Sequence, residues 1–235
     1  MTPPRTGPVA GVVLAAGGST RMGTPKALLD AHGATFLARL AGTLRRGGCD
    51  PVVVVAAEAA GPVAAETARA QARLVVNPGG EGGQIGSLRA ALAHLRRLDD
   101  PPAAFAFTPV DNPAVAAETV RAMIRGWERS KAAIVAPSYE SKCGHPVLAD
   151  MTIAAEFLAE GLAEGARTVV RRDPARVLEV PVPDPGIADD IDTPRRYAER
   201  FPREGAAAPG SPAAAAESPP AAPESPAQPH APRTR

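Results

Sequence analysis

Short apolar, β-branched runs alternate along this chain with longer stretches in which Ala and Leu recur three and four positions apart among arginines. Runs of the first kind predict strands. They are VAGVVLA from Val9, PVVVVAA from Pro51, ARLVVN from Ala72, PAAFAFTPV from Pro102, AAIVAP from Ala132 and RVLEVPV from Arg176. Stretches of the second kind predict helices. They are ATFLARLAGTLRRGG from Ala34, PVAAETARAQA from Pro62, IGSLRAALAHLRRL from Ile85, AVAAETVRAMIRGWERS from Ala114 and MTIAAEFLAEG from Met151. In the third of these, Leu88, Leu92 and Leu95 share one side and the arginines the other. No internal repeat is visible. Alternating strands and helices with short links predict a mostly parallel sheet covered on both faces, and the continuous apolar runs VVVV and AFAF suit strands buried on both sides.

Ligands of open sheets of this kind bind at the carboxyl ends of the strands. Three unusual loops fall there in chain order: LAAGGSTRMGTPKALL after the first strand, NPGGEGGQIGS after ARLVV, and TPVDNP after AFAF. From Pro202 onward the pattern disappears. The stretch is Ala, Pro, Ser and Glu with almost nothing to bury, and such a segment cannot offset its ordering entropy. The expected organisation is a folded domain over residues 1–201 and a disordered Ala/Pro-rich tail over 202–235.

Bulk composition adds exclusions. The 235 residues carry 26 basic and 25 acidic side chains, a net charge of +1. Nucleic-acid binding usually shows a basic stripe, so no nucleic-acid partner is expected. The 2 cysteines, Cys49 and Cys143, are too few for a disulfide framework or a zinc site. No apolar run approaches the roughly 20 residues that cross a bilayer, and the first residues lack a signal core. A cytoplasmic protein with no membrane partner is the expectation.

The loop after the first strand carries the chemistry. Two glycines there can be no more than a tight turn. Arg21 and Lys26, however, stand in a stretch with few other charges. Backbone N–H groups of such a loop cradle phosphate oxygens, Arg adds a planar fork and Lys a point charge. Neither the P-loop spacing nor the dinucleotide G-x-G-x-x-G fingerprint fits GGSTRMG. Two acidic segments complement it. Asp111 ends the AFAF strand, and ADDIDTP brings Asp189, Asp190 and Asp192. These acids can be ordinary turn residues. A nucleoside triphosphate, though, arrives with Mg²⁺, which takes one or two carboxylates plus phosphates and water.

LAAGGSTRMGTPKALL resembles the signature L-A-x-G-x-S-x-R-M-G-x-x-K of the MobA-like nucleotidyltransferases. The resemblance continues through NPGGEGGQIGSL, the Asp-x-Pro unit at Asp111, GHPV at Gly144, GAR at Gly165 and DIDTP at Asp190. Its order and rough spacing agree with the branch that attaches CMP to the molybdenum cofactor. It implies a Rossmann-like three-layer α/β/α (GT-A-like) nucleotidyltransferase domain. The implied roles are catalysis by Arg21 and Lys26, and nucleotide contacts from Leu14, Ala15, Ala16, Gly17, Gly18, Ser19, Gly83 and Ser87. Mg²⁺ falls to Asp111 and Asp192, with Asp190 as the substitute. His145 and Arg167 fall on the acceptor side, although His145 also reads as a structural group and Arg167 as a helix C-terminal cap. Relatives usually carry an acid after DTP, where this chain has Arg195 and Arg196. Implied partners are CTP or GTP, a molybdopterin-type acceptor, and a molybdoenzyme or its maturation chaperone. LAAG at Leu14–Gly17 favours CTP, since the guanylyl branch tends to read LAGG. A carrier of the cofactor without transfer activity is the rival from another class.

Overall fold

The computed structural model describes residues 5–17 and 23–202. The positions Gly18, Ser19 and Arg21, and the tail apart from Pro202, lie outside the described residues. The order of elements is β1 (Val9–Leu14), α1 (Phe36–Arg46), β2 (Cys49–Ala56), α2 (Pro62–Arg69), β3 (Arg73–Val76), α3 (Gly83–Leu95), β4 (Ala104–Pro109) and α4 (Ala117–Arg129). It continues with β5 (Ile134–Tyr139), β6 (Lys142–Cys143), β7 (Val147–Asp150), α5 (Ala154–Leu158), α6 (Ala166–Arg171), β8 (Val177–Pro181) and α7 (Pro194–Arg200).

The described strands form one 8-stranded sheet in the order β3-β2-β1-β4-β7-β5-β6, with β8 on β5. The pairs β1–β2, β1–β4, β2–β3 and β5–β8 are parallel. Strand β7 runs against both of its neighbours, pairing Phe107 with Val147 and Val135 with Leu148. Because β7 is reversed, the chain just before it, not after it, arrives at the edge where β1 and β4 end. The expected mostly parallel sheet is present. The reversed strand was not foreseen, because VLAD is four residues long and was hidden behind GHP.

Successive residues of each strand serve opposite faces, as the pleat requires. Val13, Val54 and Ala106 pack with Leu37, Leu40 and Leu44 of α1 and with Met123 and Trp127 of α4. Val12, Val53 and Phe105 pack with Leu88, Leu92 and Leu95 of α3 and Phe157 of α5. All three leucines of α3 are fully buried. Each such burial contributes about 1.5–3 kcal/mol. Helix α1 starts where Thr35 Oγ1 accepts from Ala38 N at 3.0 Å. Helix α3 starts two residues earlier than its hydrophobic pattern predicts, because Gly82 takes the left-handed cap position. Helices α2, α4 and α5 are shorter than predicted. Residues 151–153, for instance, form a 3-10 turn capped by Asp150 instead of the first turn of α5.

Candidate active site

Strands β1, β3 and β4 all end at one edge of the sheet, and their loops interlock there. Ala15 N donates to Val55 O, Val110 N to Leu14 O and Asn77 N to Ala56 O, so each loop leaves its strand on a carbonyl at the end of a neighbour. The glycine-rich loop then folds back on the first. A Cβ on Gly80, which has φ +70°, would stand 2.5 Å from Ala16 O. Only glycine permits both that conformation and that approach. Inside the loop, Asn77 Nδ2 donates to Glu81 O at 3.0 Å and to Ser87 Oγ at 3.1 Å. Ser87 Oγ in turn donates to Gly83 O at 3.0 Å. The Ser87 hydroxyl proton is therefore engaged within the loop, and Ser87 fixes the shape of the wall it belongs to.

Leu14, Ala15, Ala16 and Gly17 line one side of a cavity of about 220 Å³, and Gly80, Gly83 and Ser87 line the other. Lys26 and Asp111 close its end. A larger cavity of about 600 Å³ adjoins it and shares Leu14, Gln84 and Asp111. His145, Arg167, Asp190 and Asp192 line this second space. Every predicted site residue within the described chain thus falls on one of two joined cavities.

Lys26 stands where they meet. Its Nζ lies 2.6 Å from Asp192 Oδ1 and 3.2 Å from Asp111 Oδ2. Burial works against its charge, but the hydrogen bond to Asp192 and the charge of Asp111 outweigh it and hold the ammonium above its ordinary pKa. Burial raises Asp111. Lys26 opposes that shift, while Asp190 and Asp192 add to it. Asp190 is not part of the lysine contact. Asn112, fully buried, donates from Nδ2 to Asp190 Oδ1 at 2.5 Å, and Ile191 N donates to Asp111 O at 2.9 Å. These two bonds lay the DIDTP segment against the end of β4. They also bring Asp192, not its alternative Asp190, to Lys26.

Asp189 is buried and receives Arg196 Nη2 at 2.6 Å and Arg200 Nε at 2.8 Å from α7. Arg196 and Arg200 thus anchor the acidic segment. Tyr197 of the same helix donates to Asp30 O at 2.9 Å, beyond the Lys26–Leu28 turn. Thr193 caps α7 and Pro194 opens it, an N-terminal signal present in the sequence but not used to predict the helix.

His145 reaches the second cavity on the segment ahead of reversed β7. Its Nδ1 is buried without a hydrogen-bond partner among the described residues. Burial depresses its pKa, Asp190 and a hydrogen bond to the Phe107 backbone oppose that, and Arg167 adds to the depression. Arg167 lies in the first turn of α6, not its last, so the reading as a C-terminal cap is corrected. Asn77, Gly80, Gln84 and Asn112 were not singled out from the sequence. Only the unusual glycine density around the first three gave any signal.

The two joined cavities at the carboxyl edge of a mostly parallel sheet, with a lysine clamped by acids from distant loops, define the Rossmann-like nucleotidyltransferase class. The chain belongs to the MobA-like NTP transferase family: the description "MobA-like NTP transferase domain" matches residues 11–177. Nicotine blue oxidoreductase of Paenarthrobacter nicotinovorans is 32% identical over 197 residues, covering 79% of this chain and 92% of that one. A probable molybdenum cofactor guanylyltransferase of Rhodopirellula baltica is 34% identical over 54% of this chain and 60% of its own length. Among solved structures, Rv0371c of Mycobacterium tuberculosis superposes with a TM-score of 0.71 at 30% identity, covering 83% of this chain and 98% of that one. It has also been solved in complex with manganese. No helix among the described residues is long and apolar enough to cross a membrane.

Proposed function

We propose that the protein is a cytoplasmic, Mg²⁺-dependent cytidylyltransferase that moves CMP from CTP to molybdenum-bearing molybdopterin and releases pyrophosphate. An oxygen of the acceptor's phosphate attacks the α-phosphorus, and the bond to the bridging oxygen breaks as pyrophosphate leaves. The observation that carries this reading is the convergence of Lys26, Asp111 and Asp192 on one point between the two cavities.

The acid pair fits a hard divalent cation. Its two facing oxygens already share one cationic centre, the lysine ammonium. No group of three or more His, Cys, Asp or Glu gathers among the described residues. Mg²⁺ is commonly held by one or two carboxylates, with phosphate and water completing the shell. When bound, it would offset charge on the triphosphate. Relevant support comes from Rv0371c, solved with manganese.

The chain's own groups do the rest. Backbone N–H groups from Ala16 to Ser19 hold phosphates, and Arg21 and Lys26 stabilise charge on the α-phosphate and the leaving group. Gly83, in the first turn of α3, offers its backbone to base or ribose, on a wall that Ser87 keeps in shape. His145 and Arg167 face the acceptor. Residues 1–201 form the catalytic unit and 202–235 a separate tail. LAAG at Leu14–Gly17 favours CTP. The guanylyltransferase relative favours GTP as the second reading.

The test is pyrophosphate release by purified protein with CTP, GTP or ATP, with and without a molybdopterin acceptor. Acceptor-dependent release with CTP is expected, and Asp111→Asn should abolish it. Release with GTP alone would move the assignment to guanylyl transfer. Tight acceptor binding without release from any nucleotide would make the protein a carrier.

A further inference from the structure

Lys26 belongs to the first cavity and Asp192 to the second, while Asp111 lines both. The ammonium therefore reaches out of the nucleotide side to the boundary with the acceptor side. There it takes Asp192 Oδ1 and Asp111 Oδ2, the two carboxylate oxygens that face each other across 166 and 85 positions of sequence from it. The arrangement is braced from outside. Asn112 holds Asp190, Arg196 and Arg200 hold Asp189, and Ile191 N holds the Asp111 carbonyl. Neither acid-bearing segment has to move for the lysine to be held.

A divalent cation bridging the same oxygens needs them at about 2.0–2.1 Å. That puts its centre within the space the ammonium takes up. Two cations cannot share it: at such a separation their repulsion is large in a half-buried site. We infer that Lys26 and the divalent cation occupy the Asp111–Asp192 pair alternately, so that nucleotide phosphates must draw Lys26 off the acids before the cation binds there tightly. This rests on the reading of Asp111 and Asp192 as the metal-holding pair. The consequence is an order. Nucleotide arrives first on the glycine-walled side, its phosphates recruit Lys26, and the freed carboxylates take the cation. By linkage each ligand then strengthens the other. Lys26 is a gate on the metal position as well as a phosphate contact.

The test is Mn²⁺ binding to the full chain without nucleotide, read from the free-ion signal in electron paramagnetic resonance, with thermal melts confirming that each variant is folded. Lys26→Met should tighten Mn²⁺ by about tenfold over wild type, within the usual range of coupling between sites. Lys26→Arg, whose fork holds carboxylates at least as well, should not tighten it. The gain should persist in about 0.5 M KCl, where exposed charges no longer interact over more than a few ångströms. An unchanged or weaker affinity in Lys26→Met overturns the inference, and so does a gain that high salt removes. Asp111→Asn added to Lys26→Met separates this from failure of the underlying reading. If the double variant binds Mn²⁺ as well as Lys26→Met does, or if no variant binds it, the acids do not hold the metal and the reading itself fails.

Discussion

Gly80 carries two requirements at once: a positive φ and a closest approach to the Ala16 carbonyl. A methyl group there forces the glycine-rich loop away from the loop after β1 and widens the cavity between them. Gly80→Ala should cost about 1–3 kcal/mol of stability, the usual scale for a strained backbone site. It should also raise KM for the nucleotide much more than KM for the acceptor, since only the first cavity is lined by Gly80. Steady-state kinetics with each substrate varied in turn measure this. Equal effects on both would place Gly80 outside the nucleotide wall. Ser87 gives a contrasting expectation. With its proton on Gly83 O and Asn77 Nδ2 donating to it, Ser87→Ala leaves a buried amide with one acceptor fewer, so its effect should also be on the wall's shape.

At the scale of elements, α7 straps the acidic segment down. Asp189 is the buckle, with two guanidinium groups on one carboxylate. Asp189→Asn should lower stability by about 1.5–3 kcal/mol, the range for hydrogen bonds to charged groups, and raise the Mg²⁺ concentration needed for half-maximal turnover. Denaturant melts and a metal titration read the two effects, and an unchanged metal requirement would detach α7 from the site. Most helices and the parallel strands were legible because their periodicity is strong: Leu88, Leu92 and Leu95 announce a buried face, and VVVV announces a strand covered on both sides. Four elements were not, among them the two-residue β6 and the six-residue α6. Strand β7 is too short for a period to show, and α7 is polar, since five of its seven residues are Pro, Arg or Glu. Site residues bearing charge were legible for a different reason: Lys26 and Asp111 stand out in apolar surroundings. Asn112 and Asn77 do not, because an amide that organises a loop looks like any turn residue until its partners are known.

Over the whole molecule, ion pairs far from the site set part of the acid stability. Glu156 of α5 receives Arg176 at 2.7 and 2.9 Å and Arg172 at 2.9 Å, tying α5 to the segments that follow α6 and precede β8. The Arg176 hydrogen bond, reinforced by both positive charges against partial burial, holds Glu156 below the ordinary glutamate value of 4.5. A depressed carboxylate stabilises the fold fully above its unfolded pKa and loses that contribution as pH falls through its folded pKa. The Tm gap between wild type and Glu156→Gln should therefore be constant near pH 7, shrink below about pH 4.3 and close in stronger acid. Calorimetric scans across that range check it, and a gap that widens in acid would contradict the pairing.

Reversed β7 has one more implication. The few residues between β6 and β7 lie at the rim where β1 and β4 end, pinned by Gly144 N on Pro137 O and His145 N on Ile187 O. Their seat is tight, since a Cβ on Gly144 would stand 2.1 Å from Ile187 O. Substitutions in those few residues should therefore be felt in the second cavity, which His145 lines, before the first, which it does not.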